Sequence, residues 1–444
     1  MKDISRRDFL KVAGAGALAV GAAACKPGSE KNHGQEDLGP AEMPLRTNPN
    51  TGDKVSLLGY GCMRWKMVPG PDGAEVIDQE NVNELVDYAL EHGVNYFDTS
   101  PVYLQGQSEA AAGNALSRHP RDSYFIATKM SNFSNADFDN SVLMYKESLK
   151  NLKTDYFDYY LMHSIGSGRD FKQRFQDNGL IDFLMKEREA GRIRNLGFST
   201  HPSAAGFDEL MALHDTYHWD FVQIQMNYVD WKTGGADYLY SELEKRNIPV
   251  VIMEPLLGGR LSSVPKAIAE QFKQREPAKS VASWAFRFCG SKPQVLTVLS
   301  GMTYMEHLVD NVSTFEHFKP LTEEEFAFLD EAAGLIKSYP LVECTGCQYC
   351  MPCPFGINIP GIFAHYNSCV NEGSIAQSTE QKDFKKLKKK YITSYDKAIE
   401  SVRQADHCIG CGQCMSRCPQ HIRIPQELRR IDRYVEALKQ GNLK

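Results

Sequence analysis

The chain has 444 residues, 42% hydrophobic and 24% charged, the balance of a globular protein and more than one small core can absorb. Its formal net charge of −6 comes without a basic stripe, which argues against a nucleic-acid partner. Twelve cysteines are unevenly spread, and eight of them fall in two groups after residue 340.

The first residues carry an address. Ser5-Arg6-Arg7-Asp8-Phe9-Leu10-Lys11 precedes a mild apolar stretch from Val12 to Ala24, rich in Ala and Gly. This resembles a twin-arginine export signal, residues 1–25, and the run is too short for a comfortable membrane span of roughly 20 residues. Ala22-Ala23-Ala24 offers a small-x-small cleavage site, and Cys25 directly after it makes a lipid anchor an alternative. Residues 26–44 are polar and rich in Gly, Pro and charge, and read as a linker. The expected location is therefore periplasmic, or membrane-anchored through Cys25.

From Val55 short apolar runs alternate with helical patterns. Val55–Gly61 precedes a helix over Asn81–Leu90, and Asn95–Thr99 precedes Ser108–Ser117. Tyr124–Met130 precedes Phe138–Leu152, and Phe157–His163 precedes Phe171–Ala190. Ile193–Ser199 precedes Ala204–His214, and Phe221–Tyr228 precedes Ala236–Lys245. Ile248–Leu257 precedes a two-helix stretch over Val264–Phe288, and Val295–Gly301 precedes Tyr304–Val312. His92-Gly93, Ala190-Gly191 and Arg246-Asn247 sit where helices should stop. Eight such units predict an α/β fold, a (β/α)8 TIM barrel over residues 45–320. A doubly wound sheet would need a Gly-rich dinucleotide loop, and Gly59-Tyr60-Gly61 lacks its third glycine. Residues 44–55, with turn chemistry at Asn48-Pro49-Asn50-Thr51-Gly52, predict a hairpin closing the barrel floor.

Catalytic groups in such barrels come from the C-terminal ends of the strands. Asp98 follows strand two, Lys129 ends strand three, His163 ends strand four and Ser199 ends strand five. Gln223 and Asn227 lie along strand six, Glu254 ends strand seven and Gly301 ends strand eight. The order and local context of Asp98, Tyr103, Lys129 and His163 resemble the tetrad of the aldo-keto reductases. Gly106-Gln107-Ser108-Glu109 through Leu116 and Leu196-Gly197-Phe198-Ser199 match further signatures of that family. The resemblance implies carbonyl/alcohol interconversion on a small molecule, by hydride transfer with NADP or NAD. In that chemistry Tyr103 is the acid/base, Lys129 lowers its pKa, Asp98 holds Lys129, and His163 orients the substrate carbonyl. Ser199 and Gln223 match positions that bond the nicotinamide carboxamide, and Asn311 is retained near the adenosine end. Thr200 and Met253 depart from the usual Asn and Tyr. Gly301, Met302 and His307 stand where members of the family often carry Lys, Ser and Arg for a 2′-phosphate.

The composition changes after a helical pattern over Thr322–Ser338 within a tail spanning 321–444. Cys344, Cys347, Cys350 and Cys353 form one group, and Cys408, Cys411, Cys414 and Cys418 the other. The second has the bacterial ferredoxin spacing C-x₂-C-x₂-C-x₃-C-P, and the first is one residue shorter before its last cysteine. The repeat of Cys353-Pro-Phe-Gly-Ile-Asn-Ile-Pro360 in Cys418-Pro-Gln-His-Ile-Arg-Ile-Pro425 ties them together. The tail resembles an α-helical ferredoxin-like module with two 4Fe–4S clusters. That resemblance gives Cys344, Cys347, Cys350 and Cys418 to one cluster, and Cys353, Cys408, Cys411 and Cys414 to the other. A zinc site is the alternative, although zinc favours pairs of Cys-x-x-Cys. Cys62, Cys289 and Cys369 read as small buried hydrophobes.

Between the cysteine groups, Lys385-Lys386-Leu387-Lys388-Lys389-Lys390 is a solvated helical face or a dock for an acidic electron-transfer protein. Three readings follow. The barrel exchanges electrons with a partner through the clusters, the clusters only staple an ordinary reductase, or the barrel is a scaffold for an electron-transfer module.

Overall fold

The computed structural model describes residues 42–71, 73–133, 136–201 and 203–443. The export signal, Cys25 and nearly all of the linker lie outside the described residues. No helix among those described is long and apolar enough to cross a membrane.

The chain enters through an antiparallel hairpin, β1 (Leu45–Thr47) and β2 (Lys54–Ser56). Asn48 in its turn donates to Tyr159 Oη and Asn195 Oδ1, each at 3.0 Å, so the hairpin is fixed to the barrel floor from beneath. Val55–Gly61 is not one strand. The chain breaks at Leu57, Ser56 Oγ donates to Leu58 O, and the barrel strand β3 is Leu58–Gly61. A second hairpin, β4 (Met67–Pro69) and β5 (Glu75–Ile77), precedes the first helix.

Strands β6 (Tyr96–Asp98), β7 (Phe125–Met130), β8 (Phe157–Met162), β9 (Ile193–Thr200), β10 (Phe221–Gln225), β11 (Val250–Met253) and β12 (Val295–Ser300) complete a closed, all-parallel barrel with β3. Alternation decides which residues face inward. Tyr96, Ala127, Tyr159, Leu161, Phe221, Val251, Leu296 and Leu299 fill the interior. Their neighbours Phe97, Ile126, Tyr160, Met162, Val222, Val250 and Val298 face the helical layer. Each such buried side chain contributes about 1.5–3 kcal/mol by leaving water.

The outer helices are α1 (Gln79–Glu91), α2 (Ser108–Leu116), α3 (Phe138–Leu152), α4 (Leu180–Glu189), α5 (Ala204–Ala212), α6 (Ala236–Lys245), α7 (Lys266–Arg275), α8 (Val281–Gly290) and α9 (Met305–Glu316). Asp78, Asp137, Ser203 and Ser280 cap four of them by accepting from backbone N–H groups that would otherwise lack partners. The stop at Arg246-Asn247 is left-handed at Asn247, φ 55°. The long helix expected over Phe171–Ala190 is broken: a short turn, a π-helical segment Lys172–Gln176, and then α4. Asn178 causes the break by accepting from Leu180 N and donating to Arg174 O, and Gly179 takes φ 75°.

Helix α10 (Glu323–Ser338) begins with a complete Thr322/Glu325 capping box. Its Phe328 packs on Phe272 and Trp284, with ring centroids 5.0 and 5.4 Å away. The segment placed at the start of the tail thus belongs to the barrel's core. The tail's own core begins at Val342 and joins α11 (Ile359–Asn371), α12 (Phe384–Ala398) and α13 (Ile424–Gln440).

Candidate active site and cysteine centres

Three strands and one turn bring the tetrad together at the barrel's C-terminal mouth. Asp98 closes β6, Lys129 is the penultimate residue of β7, and His163 follows β8 directly. Tyr103 lies in a tight turn whose next residues, Leu104 and Gln105, are left-handed, φ 49° and 58°. All four side chains are buried.

Lys129 Nζ donates to Asp98 Oδ1 at 2.6 Å and to Thr99 O at 2.7 Å. The same ammonium is 4.9 Å from the centroid of the Tyr103 ring, and His163 meets that ring edge-on at 6.0 Å. His163 Nδ1 faces Ser131 Oγ at 2.6 Å and Ser100 Oγ at 3.4 Å. Its other ring nitrogen is left to the site. Its backbone carbonyl accepts from Arg174 Nη2 at 2.8 Å.

Burial pushes the Tyr103 phenol well above its ordinary value, and Tyr349, Asp98 and Glu254 push it the same way. Lys129, the one cation against the ring, is itself paired with the Asp98 carboxylate. Burial lowers Lys129 and raises Asp98, each opposed by the other partner. Burial, with Lys129, Arg174 and His201 nearby, holds His163 well below the usual imidazole range. At neutral pH the site therefore presents a protonated phenol and a neutral imidazole, two groups suited to donate to one oxygen.

The proposed cofactor contacts divide. Gln223 is buried, its amide nitrogen is 3.6 Å from Met253 Sδ, and its Oε1 has no partner. Ser199 Oγ accepts from Ser164 N at 2.8 Å. A carboxamide NH₂ would satisfy the orphan on Gln223, so these two residues fit a nicotinamide ring. Asn311 is buried elsewhere, donating to Ser300 Oγ at 2.9 Å, and no hydrogen bond joins it to Ser199 or Gln223. Met302 is buried and its carbonyl accepts from Tyr60 Oη. No fixed cation stands at 301, 302 or 307 to receive a 2′-phosphate.

Asn227 lies beyond the end of β10, where it accepts from Val229 N and Asp230 N. Glu254 follows β11 with φ 55°, and burial raises its carboxyl against the pull of Arg64.

The cysteines form two groups. Cys344, Cys347, Cys350 and Cys418 line one pocket with Ile359, Phe363 and Ile424. Cys414 lies among Cys353, Cys408 and Cys411, and Cys350 approaches Cys414 where the groups adjoin. This grouping sets Cys418 beside the first three cysteines and Cys353 beside Cys408, Cys411 and Cys414. None of the described cysteines is in a disulfide. Four thiols lining one pocket fit the donor set of a 4Fe–4S cluster. Cys62, Cys289 and Cys369 are buried, as expected of small hydrophobes.

The first cysteine group sits on the barrel's mouth. Arg64, just past β3, donates to Thr345 O at 2.5 Å, and Gln225 and Gln420 exchange amide hydrogen bonds at 2.9 and 3.2 Å. Tyr349, between Cys347 and Cys350, comes close enough to Tyr103 to raise its pKa. Sequence reasoning missed Arg174, Phe133, Ser100, Ser131, Arg64 and Tyr349. Phe133 is exposed at the rim, 5.0 Å from His163 by centroid and covered by Arg174. The one available signal was the aromatic inside the cysteine spacing.

Known proteins match both parts. Residues 57–333 match the family described as aldo/keto reductase, and residues 343–423 match a 4Fe-4S dicluster domain. L-Galactose dehydrogenase of Arabidopsis thaliana is 26% identical over 303 residues, 63% of this chain and 90% of that protein. The fold is that of aldo-keto reductase AKR11C1 from Bacillus halodurans, TM-score 0.53 at 23% identity, covering 66% of this chain and 96% of that one. A Klebsiella pneumoniae aldo-keto reductase, solved in complex with NADPH, gives TM-score 0.53 at 22% identity, covering 66% and 94%.

Proposed function

The chain belongs to the aldo/keto reductase family and carries a 4Fe-4S dicluster domain, and on that premise we propose that it interconverts a small-molecule carbonyl and alcohol at Asp98, Tyr103, Lys129 and His163. One observation carries the reading: the buried Lys129–Asp98 pair at 2.6 Å lies directly beneath the Tyr103 ring, with His163 at its edge. A scaffold would have no reason to retain a desolvated ion pair, which costs several kcal/mol to bury.

In the reducing direction, Tyr103 Oη and the free ring nitrogen of His163 orient the carbonyl oxygen, and Tyr103 gives it a proton. Lys129, held by Asp98 and Thr99 O, limits the charge left on the phenol oxygen. Ser100 and Ser131 fix the imidazole plane. Ser199 and Gln223 would hold the carboxamide of a nicotinamide, which supplies hydride when bound. Without a cation for a 2′-phosphate, NAD is favoured over NADP. Cys344, Cys347, Cys350 and Cys418 would hold one 4Fe–4S cluster beside the mouth, and Cys353, Cys408, Cys411 and Cys414 a second, both serving electron transfer. The sugar dehydrogenase among the relatives makes aldoses and their lactones the first substrates to try.

The test is anaerobic purification with iron and sulfide quantified, followed by NADH and NADPH titration of the visible absorption and turnover on an aldose panel. Turnover in the native protein and its loss in Tyr103→Phe supports the reading. Iron-loaded protein that binds neither dinucleotide nor sugar sinks it. Export by the twin-arginine route, to the periplasm or to a lipid anchor at Cys25, belongs to the same proposal. Cell fractionation with Arg6→Lys and Arg7→Lys tests it.

A further inference from the structure

The second cysteine group lies under a surface unlike the rest of the tail. Phe355, Val402, Ile409 and Met415 are 44, 68, 66 and 43% exposed, and they are all of the large apolar side chains exposed between residues 339 and 443 among those described. Each belongs to this one place. Phe355 follows Cys353 by two residues, Ile409 lies between Cys408 and Cys411, and Met415 follows Cys414. Val402 is brought in by its neighbour Arg403, whose Nε donates to Gly356 O at 3.2 Å and whose carbonyl accepts from Asn358 N at 3.0 Å. Cys411 itself is exposed. An apolar patch of this kind on a soluble face marks a contact site.

Its charges beyond the cysteine loop are mostly positive. Between residues 407 and 426 the only charged side chains are Arg417 and Arg423, both exposed. Arg429, also exposed, lies over Gly410, 2.5 Å from where a Cβ there would stand. None of these three arginines makes an ion pair with a described residue, and Asp406 is the one carboxylate between 401 and 426. By contrast, the lysine run on α12 has no exposed large apolar residue beside it. Its Lys390 is paired with Glu372, and its Lys388 donates to Lys439 O.

We propose that the Phe355–Val402–Ile409–Met415 patch, rimmed by Arg417, Arg423 and Arg429, is the docking surface for a small acidic one-electron carrier protein. This rests on the reading of the eight cysteines as ligands of two clusters. The apolar centre excludes water over the second group, and the arginines steer and orient a carboxylate-rimmed partner. Each encounter passes one electron between carrier and cluster, with no bond made and no proton moved, so the carrier leaves oxidised by one and the cluster is reduced by one. The first cysteine group, adjoining at Cys350 and Cys414 and seated on the barrel's mouth, lies on the way inward.

The experiment uses the full chain with clusters loaded, and measures binding by calorimetry. The probes are an acidic 2Fe–2S ferredoxin and, as the control of opposite charge, a basic c-type cytochrome. Saturable binding of the ferredoxin that weakens at about 0.5 M salt is expected. Arg417→Glu with Arg423→Glu, and separately Ile409→Ser with Met415→Ser, should each weaken it about tenfold or more. Iron content and bleaching by dithionite should stay unchanged in both. Lys385→Glu with Lys389→Glu should leave the affinity within about twofold. Iron-loaded protein that ignores the ferredoxin, that binds the cytochrome equally well, or that loses binding only in the lysine variant overturns the docking surface. A chain that takes up no iron overturns the cluster reading instead.

Discussion

The carbonyl oxygen of Thr345 approaches Gly258 so closely that a Cβ on Gly258 would stand 2.0 Å from it. Gly258 is in the loop after β11 and has φ 66°; Thr345 lies between the first two cysteines. The cysteine loop is thus seated on the barrel with no room for even a methyl group, and Arg64 holds the same carbonyl from the other side. Gly258→Ala should lift the loop off the rim and cost about 1–3 kcal/mol from backbone strain and overlap. A lower Tm and faster limited proteolysis between α10 and Cys344 would show it.

Removing the ammonium separates catalysis from stability. Lys129→Met leaves the Asp98 carboxylate buried without a partner, which should cost about 3–5 kcal/mol. Tyr103→Phe removes a hydroxyl and no charge, so its Tm should stay near that of the native protein while kcat falls about 10²–10⁴-fold. Denaturation midpoints and steady-state rates on the two variants check the contrast.

Arg174 should behave as a positioning residue. It donates to His163 O, Ser164 O and Asn132 Oδ1 from a π-helical segment, a feature frequent near functional sites. Arg174→Met should lower kcat/KM about tenfold or more by freeing the imidazole and Phe133. A shifted pH profile for kcat/KM is the readout that loss of packing alone would not produce.

Two histidines, His163 buried and His201 half-buried, give the protein an acid limit. Burial lowers His163 well below 6.5 and His201 to about 4. Below pH 6.5 the unfolded chain binds their protons and the folded one does not, so stability is present above the unfolded pKa. It falls as pH drops toward the folded values, by at most about 1.4 kcal/mol per pH unit for each histidine. Urea midpoints measured from pH 7 to pH 4 should decline, and His201→Gln should flatten part of the slope.

Removing iron should loosen the tail before the barrel. The tail's core rests partly on Cys344, Cys350, Cys353, Cys408, Cys414 and Cys418, whereas α10 stays packed on Phe272 and Trp284. Calorimetry of chelator-treated protein should show a new low-temperature transition, with the barrel's own melting little changed.

Periodicity alone carried the barrel, because strand alternation and helical spacing are local properties written into neighbouring residues. It also placed Asp98, Lys129 and His163 at strand ends that a closed barrel must bring together, while Tyr103 and the tetrad's roles came from the family resemblance, and the two cysteine groups came from their spacing. The repeat around Cys353 and Cys418 tied the two cysteine groups into one module, and the ferredoxin resemblance supplied the crossed partition. Other features had no local signature. The break at Asn178-Gly179 depends on hydrogen bonds to Arg174, and α10 reads like the start of a new segment until Phe328 finds Phe272 and Trp284. The position of Tyr349 beside Tyr103 and the neutral state of that phenol follow from contacts between residues more than two hundred positions apart in the chain. The sequence determined which chemical groups this protein owns. Only tertiary packing decided that the first cysteine group closes the mouth of the barrel, because burial and close approach belong to pairs of surfaces and to neither stretch alone.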